Sequence, residues 1–252
     1  MTETRIVTET NGGPMSARVI HPDGAGPFPV VLFYHDGPGL RESIYTVARE
    51  LAANGYYVAV PDLYHRDGEE IAFDMAAIAT PGTEEQAWFY GIIDRTTPEI
   101  MVADSVALLD TIRQDPAAAD GPAGCFGFCH TARTVIRALS DHPDLFSAGV
   151  MLHPSFTVTD EPDSTHLFVP KITGEIYAGF GGADTLAPVS QQQPLIDELA
   201  KLGDRATVGI HPTANHGYFF SDTPRFDTAG AEASWAGILD LFDRRLKAAQ
   251  PA

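Results

Sequence analysis

Basic residues are scarce in this sequence: 16 Lys and Arg stand against 34 Asp and Glu, a formal net charge of −18. Such a field repels polyanions, so neither nucleic acid nor an anionic membrane surface is an expected partner. Cysteine is nearly absent. The two present, Cys125 and Cys129, would lie roughly 13 Å apart along a strand, beyond disulfide reach. A reducing compartment, the cytoplasm, is the expected home. No apolar run approaches the ~18 residues of a membrane span. The opening Met-Thr-Glu-Thr-Arg lacks the charged-then-apolar order of a signal peptide. Internal repeats and low-complexity tracts are missing too. With 44% apolar residues, the chain can bury a full core without a metal or disulfide staple, and residues 1–252 are expected to form one domain.

What is present is an alternation of strands and helices. Residues 4–10 and 15–20 read as strands around Asn11-Gly12-Gly13-Pro14, a hairpin signal. The run 29–34 is continuously apolar, as in a strand buried on both faces. A helix over 42–53 closes at Asn54-Gly55. Further strands are expected at 56–60, 124–128, 147–152, 171–177 and 206–210. Helices are expected at 99–113, 130–139, 194–202 and 231–246. Residues 65–96 show no clean period and carry Phe73, Trp88, Phe89 and Tyr90. They are expected to be irregular, as a lid or substrate wall or as an excursion packed on the core. The predicted class is α/β: a mostly parallel sheet, helices on both faces, and an N-terminal hairpin. Such sheets place their sites at the carboxyl ends of strands.

Three loops at those ends carry reactive groups. Gly127-Phe128-Cys129-His130-Thr131 passes from strand to helix with a nucleophile at the tip, the pattern of a nucleophile elbow. A helix starting there points its positive end at Cys129 and favours a thiolate. The His130 amide, unpaired at a helix start, can donate to an oxyanion. Gly181-Gly182-Ala183-Asp184 and Asn215-His216-Gly217-Tyr218 follow the next two strands. Nucleophile, acid, histidine is the chain order of α/β-hydrolase triads. His211, which ends a strand and is expected to be packed, is a rival base, and Glu175, inside its strand, a rival acid. His153, after the 147–152 strand, is a candidate for the rim of the same crevice.

Together these segments resemble the dienelactone hydrolase family. Tyr34-His35-Asp36-Gly37, Pro61-Asp62-Leu63-Tyr64, Gly127-Phe128-Cys129, Gly182-Ala183-Asp184 and His216-Gly217-Tyr218 carry the likeness, which runs from about residue 29 to 246. The resemblance implies an α/β-hydrolase fold and hydrolysis of a small ester or lactone through a thioester. It makes Cys129 the nucleophile, His216 the base and Asp184 the orienting acid. Gly37 joins His130 in the oxyanion hole. Asp36 takes the place of the family's glutamate beside the thiol. Tyr64, Trp88, His153 and Tyr218 are expected around the substrate. The resemblance implies no cofactor and no metal. The state is expected to be monomer or homodimer.

The sequence departs from the family at two places. Thr131 stands where the elbow normally has glycine. Phe220 stands where the namesake enzymes hold a substrate carboxylate with arginine, and only Arg66 or Arg95 offers itself for the second arginine. An apolar substrate is therefore expected. Two alternatives compete: a non-catalytic binding module on the same fold, and a metal or redox patch of Cys125, Cys129 and His130. The spacing of that patch matches no zinc knuckle, and strand alternation puts both sulfurs on one side of the sheet.

Overall fold

The computed structural model describes residues 1–248. Its frame is an eight-stranded sheet: β1 (Thr2–Thr10), β2 (Gly13–His21), β3 (Val30–Phe33), β4 (Tyr57–Pro61), β5 (Ala123–Phe128), β6 (Phe146–Leu152), β7 (Glu175–Gly181) and β8 (Ala206–His211). The spatial order is β1-β2-β4-β3-β5-β6-β7-β8. The hairpin β1–β2 pairs antiparallel with β4, and β3 to β8 run parallel. The central strands are short and buried on both faces, which is why they read as unbroken apolar runs. Alternate residues serve opposite layers. Leu32, Ala59, Cys125, Met151 and Ala178 point to one face; Val31, Val58, Phe126, Val150 and Tyr177 point to the other.

Helices α1 (Glu42–Ala53) and α7 (Thr228–Phe242) cover the second face. Helices α4 (Pro98–Ile112), α5 (Ala132–Asp141) and α6 (Val189–Ala200) cover the first. Among the described residues, no helix is long and apolar enough to cross a membrane.

Three expectations are corrected. Residues 65–96 are not irregular: α2 (Met75–Ala79) and α3 (Glu84–Arg95) lie there. Asp74 caps the first helix through Oδ1, which accepts from the Ala76 and Ala77 amides. Thr83 caps the second by accepting from the Gln86 amide, and Gln86 reaches back to the Gly82 amide. The strand expected at 171–177 lies four residues later. Thr165–Lys171 winds as a tight turn around Pro170, and β7 opens at Glu175 opposite Ala148. The helix expected from residue 130 begins at Ala132, after a one-turn 3-10 segment, Cys129–Thr131.

Candidate active site

The elbow is built by close approach and by one strained residue. A Cβ on Gly127 would sit 2.7 Å from the Thr131 carbonyl oxygen, so only glycine lets the strand pass under the turn. The left-handed backbone falls on Cys129 itself, at φ +50°. A non-glycine residue there stores strain, a recurring property of reactive positions. Thr131 ties the turn together: its hydroxyl accepts from the Phe128 amide at 3.0 Å and donates to the Phe128 carbonyl at 2.8 Å.

Asp184 and His216 meet because their loops are bonded to each other. The Gly182 amide donates to the His211 carbonyl at 2.7 Å, and the Ala183 amide to the Ala214 carbonyl at 2.9 Å. Asp184 Oδ2 lies 2.8 Å from His216 Nδ1. Its Oδ1 accepts from the Leu186 and Ala187 amides. Burial raises the carboxyl's pKa, but the His216 contact and those amides more than offset it, and the net shift is downward. Asn215 Oδ1 accepts from the His216 amide at 2.7 Å and fixes the imidazole's loop.

Cys129 and His216 act on each other. Burial raises the thiol's pKa; the charge of the His216 imidazolium, then its N–H directed at sulfur, then Ser155 pull it below the ordinary value. Burial lowers the imidazole's pKa; the Cys129 charge and Asp184 raise it to about 10. His216 Nε2 has no well-aligned hydrogen-bond partner. The attraction between the two is therefore mainly one of charge in this resting arrangement. The thiol's directional partner is Ser155, with Oγ 3.2 Å from Sγ. The Ser155 amide also donates to the Cys129 carbonyl at 3.0 Å. Ser155 carried no motif and was not expected. Its one signal was position, three residues beyond the end of β6.

Several expected contacts are replaced by others. Asp36 does not reach for the thiol: Arg41 holds both its oxygens, one pair at 2.8 Å. The short aspartate side chain is thereby turned toward α1. The Arg41 guanidinium then lies 4.9 Å above the Phe220 ring. Tyr64 is fully buried behind the loop after β3, not on a substrate wall. Tyr218 is buried as well, its hydroxyl 2.7 Å from Ser234 Oγ under α7. His153 lines no open rim. It is 1% exposed, sits at φ +37°, and packs its ring 4.8 Å from that of His216. Burial, then the His216 charge, holds its pKa well down, so it is neutral. Trp88 is half exposed, 4.9 Å edge-on from Phe73. Phe89 comes nearer: a Cβ on Gly37 would lie 3.1 Å from its ring.

The rival groups are engaged elsewhere. Glu175 opens β7, far from the carboxyl end, and pairs with Arg244 at 2.6 Å. His211 Nε2 lies 2.9 Å from Ser234 Oγ. Cys125 is buried against the layer of α4 and α5, with its thiol pKa raised by burial. Cys129 packs toward the opposite layer, because its left-handed turn breaks the strand alternation. Arg66 is held by Asp104 at 2.6 and 2.9 Å, and Arg95 by Asp67.

The profile of the dienelactone hydrolase family matches residues 15–246. The chain belongs to the dienelactone hydrolase family. A family member from Synechocystis sp., provisionally named a carboxymethylenebutenolidase, is 25% identical, with 97% of this chain and 98% of that protein covered. One of the same provisional name from Escherichia coli K12 is also 25% identical, over 86% of this chain and 77% of that one. Among solved structures, a provisionally named dienelactone hydrolase from Klebsiella pneumoniae superposes with a TM-score of 0.81 at 18% identity. It covers 97% of this chain and 100% of its own. A dienelactone hydrolase-like promiscuous phosphotriesterase from metagenomic libraries superposes at 0.74 and 19% identity, over 98% and 100%. These neighbours share the α/β-hydrolase fold.

Proposed function

We propose that this family member is a cysteine hydrolase of small, uncharged esters or lactones, acting through a thioester. The observation that carries the reading is a reactive series at three strand ends. A strained cysteine with a depressed pKa faces an imidazole with an elevated one, and a carboxylate lies 2.8 Å behind that imidazole.

The Cys129 thiolate attacks the carbonyl carbon, and the electron pair moves to oxygen. That oxyanion is received by the backbone amides of His130 and Gly37; each such donor is typically worth about 3 kcal/mol in the transition state. The C–O bond then breaks, and the leaving alkoxide takes its proton from His216. In the second half, neutral His216 removes a proton from water, hydroxide adds to the thioester, and the thiolate departs with the acid product free. Asp184 holds the tautomer that presents Nε2 to sulfur. Ser155 steadies the thiolate between turnovers. A glutamate-like role for Asp36 is not part of this scheme, since Arg41 occupies it.

The preference for uncharged substrates rests on the engagement of Arg66 and Arg95 and on Phe220 in the arginine's place. The side chain of Phe89 offers an apolar wall above Gly37, and Trp88 extends it outward. The test is hydrolysis of p-nitrophenyl acetate and of a short lactone, with Cys129→Ala beside the parent. Turnover by the parent, and loss of at least ~1,000-fold in the variant, is the expected result for removal of a covalent nucleophile. A parent inert on every short ester and lactone overturns the reading.

A further inference from the structure

Two fully buried polar side chains link the parts of the site, and the scheme above uses neither. The Tyr64 hydroxyl donates to the Gly37 carbonyl at 2.9 Å. The same oxygen lies 2.9 Å from His130 Nε2. A phenol has one proton, and a carbonyl only accepts. The Tyr64 proton is therefore on the Gly37 side, and His130 Nε2 must carry its own proton toward Tyr64. His130 Nδ1 is then a bare lone pair, and it is the nitrogen left without a partner. Protonation states agree: burial pushes the phenol's pKa far up and the imidazole's far down, so both groups stay neutral.

Gly37 and His130 are the two residues whose amides receive the oxyanion in the scheme above. They sit after β3 and β5, neighbouring strands paired at Phe33 and Phe126. Tyr64 comes from a third loop, after β4, on the other side of β3. The Gly37 amide is free of hydrogen bonds to the described residues. Its own peptide is held through the Asp36 carbonyl, which accepts from the Gly39 amide at 3.0 Å and lies 2.8 Å from His35 Nδ1. The Tyr64 contact fixes the adjoining Gly37–Pro38 peptide.

We propose that Tyr64 and His130 form a buried strut, Gly37 carbonyl to phenol to imidazole, that sets the spacing of the two oxyanion donors. They are positioning residues: neither side chain touches substrate. His130 thus serves twice, its amide facing the oxyanion and its ring bracing the opposite donor. This inference rests on the hydrolase reading of Cys129.

The test is Tyr64→Phe, which keeps the ring and removes only the strut's central oxygen. Two reactions of one thiol separate the roles. Ester hydrolysis passes through an oxyanion; alkylation by iodoacetamide does not. With the strut broken, kcat for p-nitrophenyl acetate is expected to fall roughly 10- to 100-fold, the order expected for a misdirected oxyanion donor. KM should stay within about twofold, and the rate and pH profile of Cys129 alkylation should not move. His130→Phe should give the same pattern, and the double variant little further loss, because a strut broken once is broken. The His130→Phe arm carries the test if Tyr64→Phe does not fold. Independently, nitrogen NMR of the parent should find His130 neutral and protonated on Nε2. An unchanged kcat in Tyr64→Phe overturns the strut, as does alkylation falling in step with kcat or the opposite tautomer. Failure of the underlying reading looks different: the parent itself would alkylate yet hydrolyse nothing, and the strut would fall with it.

Discussion

At the scale of single residues, the site is governed by who holds whose charge. His216, raised to about 10, contributes stability in full below its unfolded value of 6.5 and loses it as pH rises through 10. Cys129 is shifted the other way. Its contribution is complete above the ordinary thiol value of 9.0 and is lost as pH falls through the depressed one. The alkylation rate of Cys129 should therefore reach half-maximum below pH 9, with His216→Ala moving that midpoint upward. The same substitution should flatten the decline of Tm between pH 9 and 10. Ser155→Ala should move the alkylation midpoint upward by a smaller amount, since it removes one hydrogen bond and no charge. Asp36 shows why a residue's type does not disclose its partner. Its position after β3 was legible, but the arginine five residues on, which takes it away from the thiol, belongs to a pairing visible only in space.

At the scale of elements, the elbow and the α2–α3 segment are the places where local sequence and fold are most tightly bound. Thr131 reads as a misfit against the family's glycine, yet it closes both backbone groups of Phe128. Thr131→Val keeps the shape and strands those groups. It should lower stability by about 1–3 kcal/mol, read from urea unfolding. Helix α3 was readable after all: Thr83-Glu84-Glu85-Gln86 carries the sequence pattern of a helix start, with Thr83 accepting from the Gln86 amide and Gln86 from the Gly82 amide. Its signal was obscured because the helix is only partly buried and its apolar residues follow no stripe. Thr83→Ala should cost that helix about 1 kcal/mol. The effect belongs to residues 83–95, detectable as faster amide exchange there with global Tm nearly unchanged. The buried strands β3, β4 and β5 were legible within a residue or two, because burial on both faces leaves an unbroken apolar run. Strand β7 was misplaced, because Val169, Ile172 and the residues around them are apolar for a tight turn packed on the core.

At the scale of the whole molecule, the two layers and the order of the parallel strands follow from the alternation of elements, and the sequence carries that alternation plainly. The meeting of Asp184 with His216 was legible only as an order along the chain; the cross-bonded loops that enforce it were not. The net charge of −18 acts on substrates at a distance. An anionic ester should show lower kcat/KM than a neutral one of equal size at low salt. That gap should narrow as ionic strength rises toward 0.5 M and screening shortens the field. A constant gap would trace the discrimination to contacts inside the site. Segment 65–96 is anchored to the sheet's helical layer through Arg66 and the buried carboxylate of Asp104. Arg66→Met leaves that charge alone and should destabilise the protein by roughly 3–5 kcal/mol.

The glycines at the end of β7 have a consequence for how this corner can change. Any side chain on Gly181 would press within 2.7 Å of the Ala214 carbonyl oxygen, and one on Gly182 within 2.8 Å of the Pro212 Cα. Asp184 and His216 are thus held in place as one unit. A library that randomises either loop alone would sample mostly broken pairs, and one that transplants both together would carry the dyad intact.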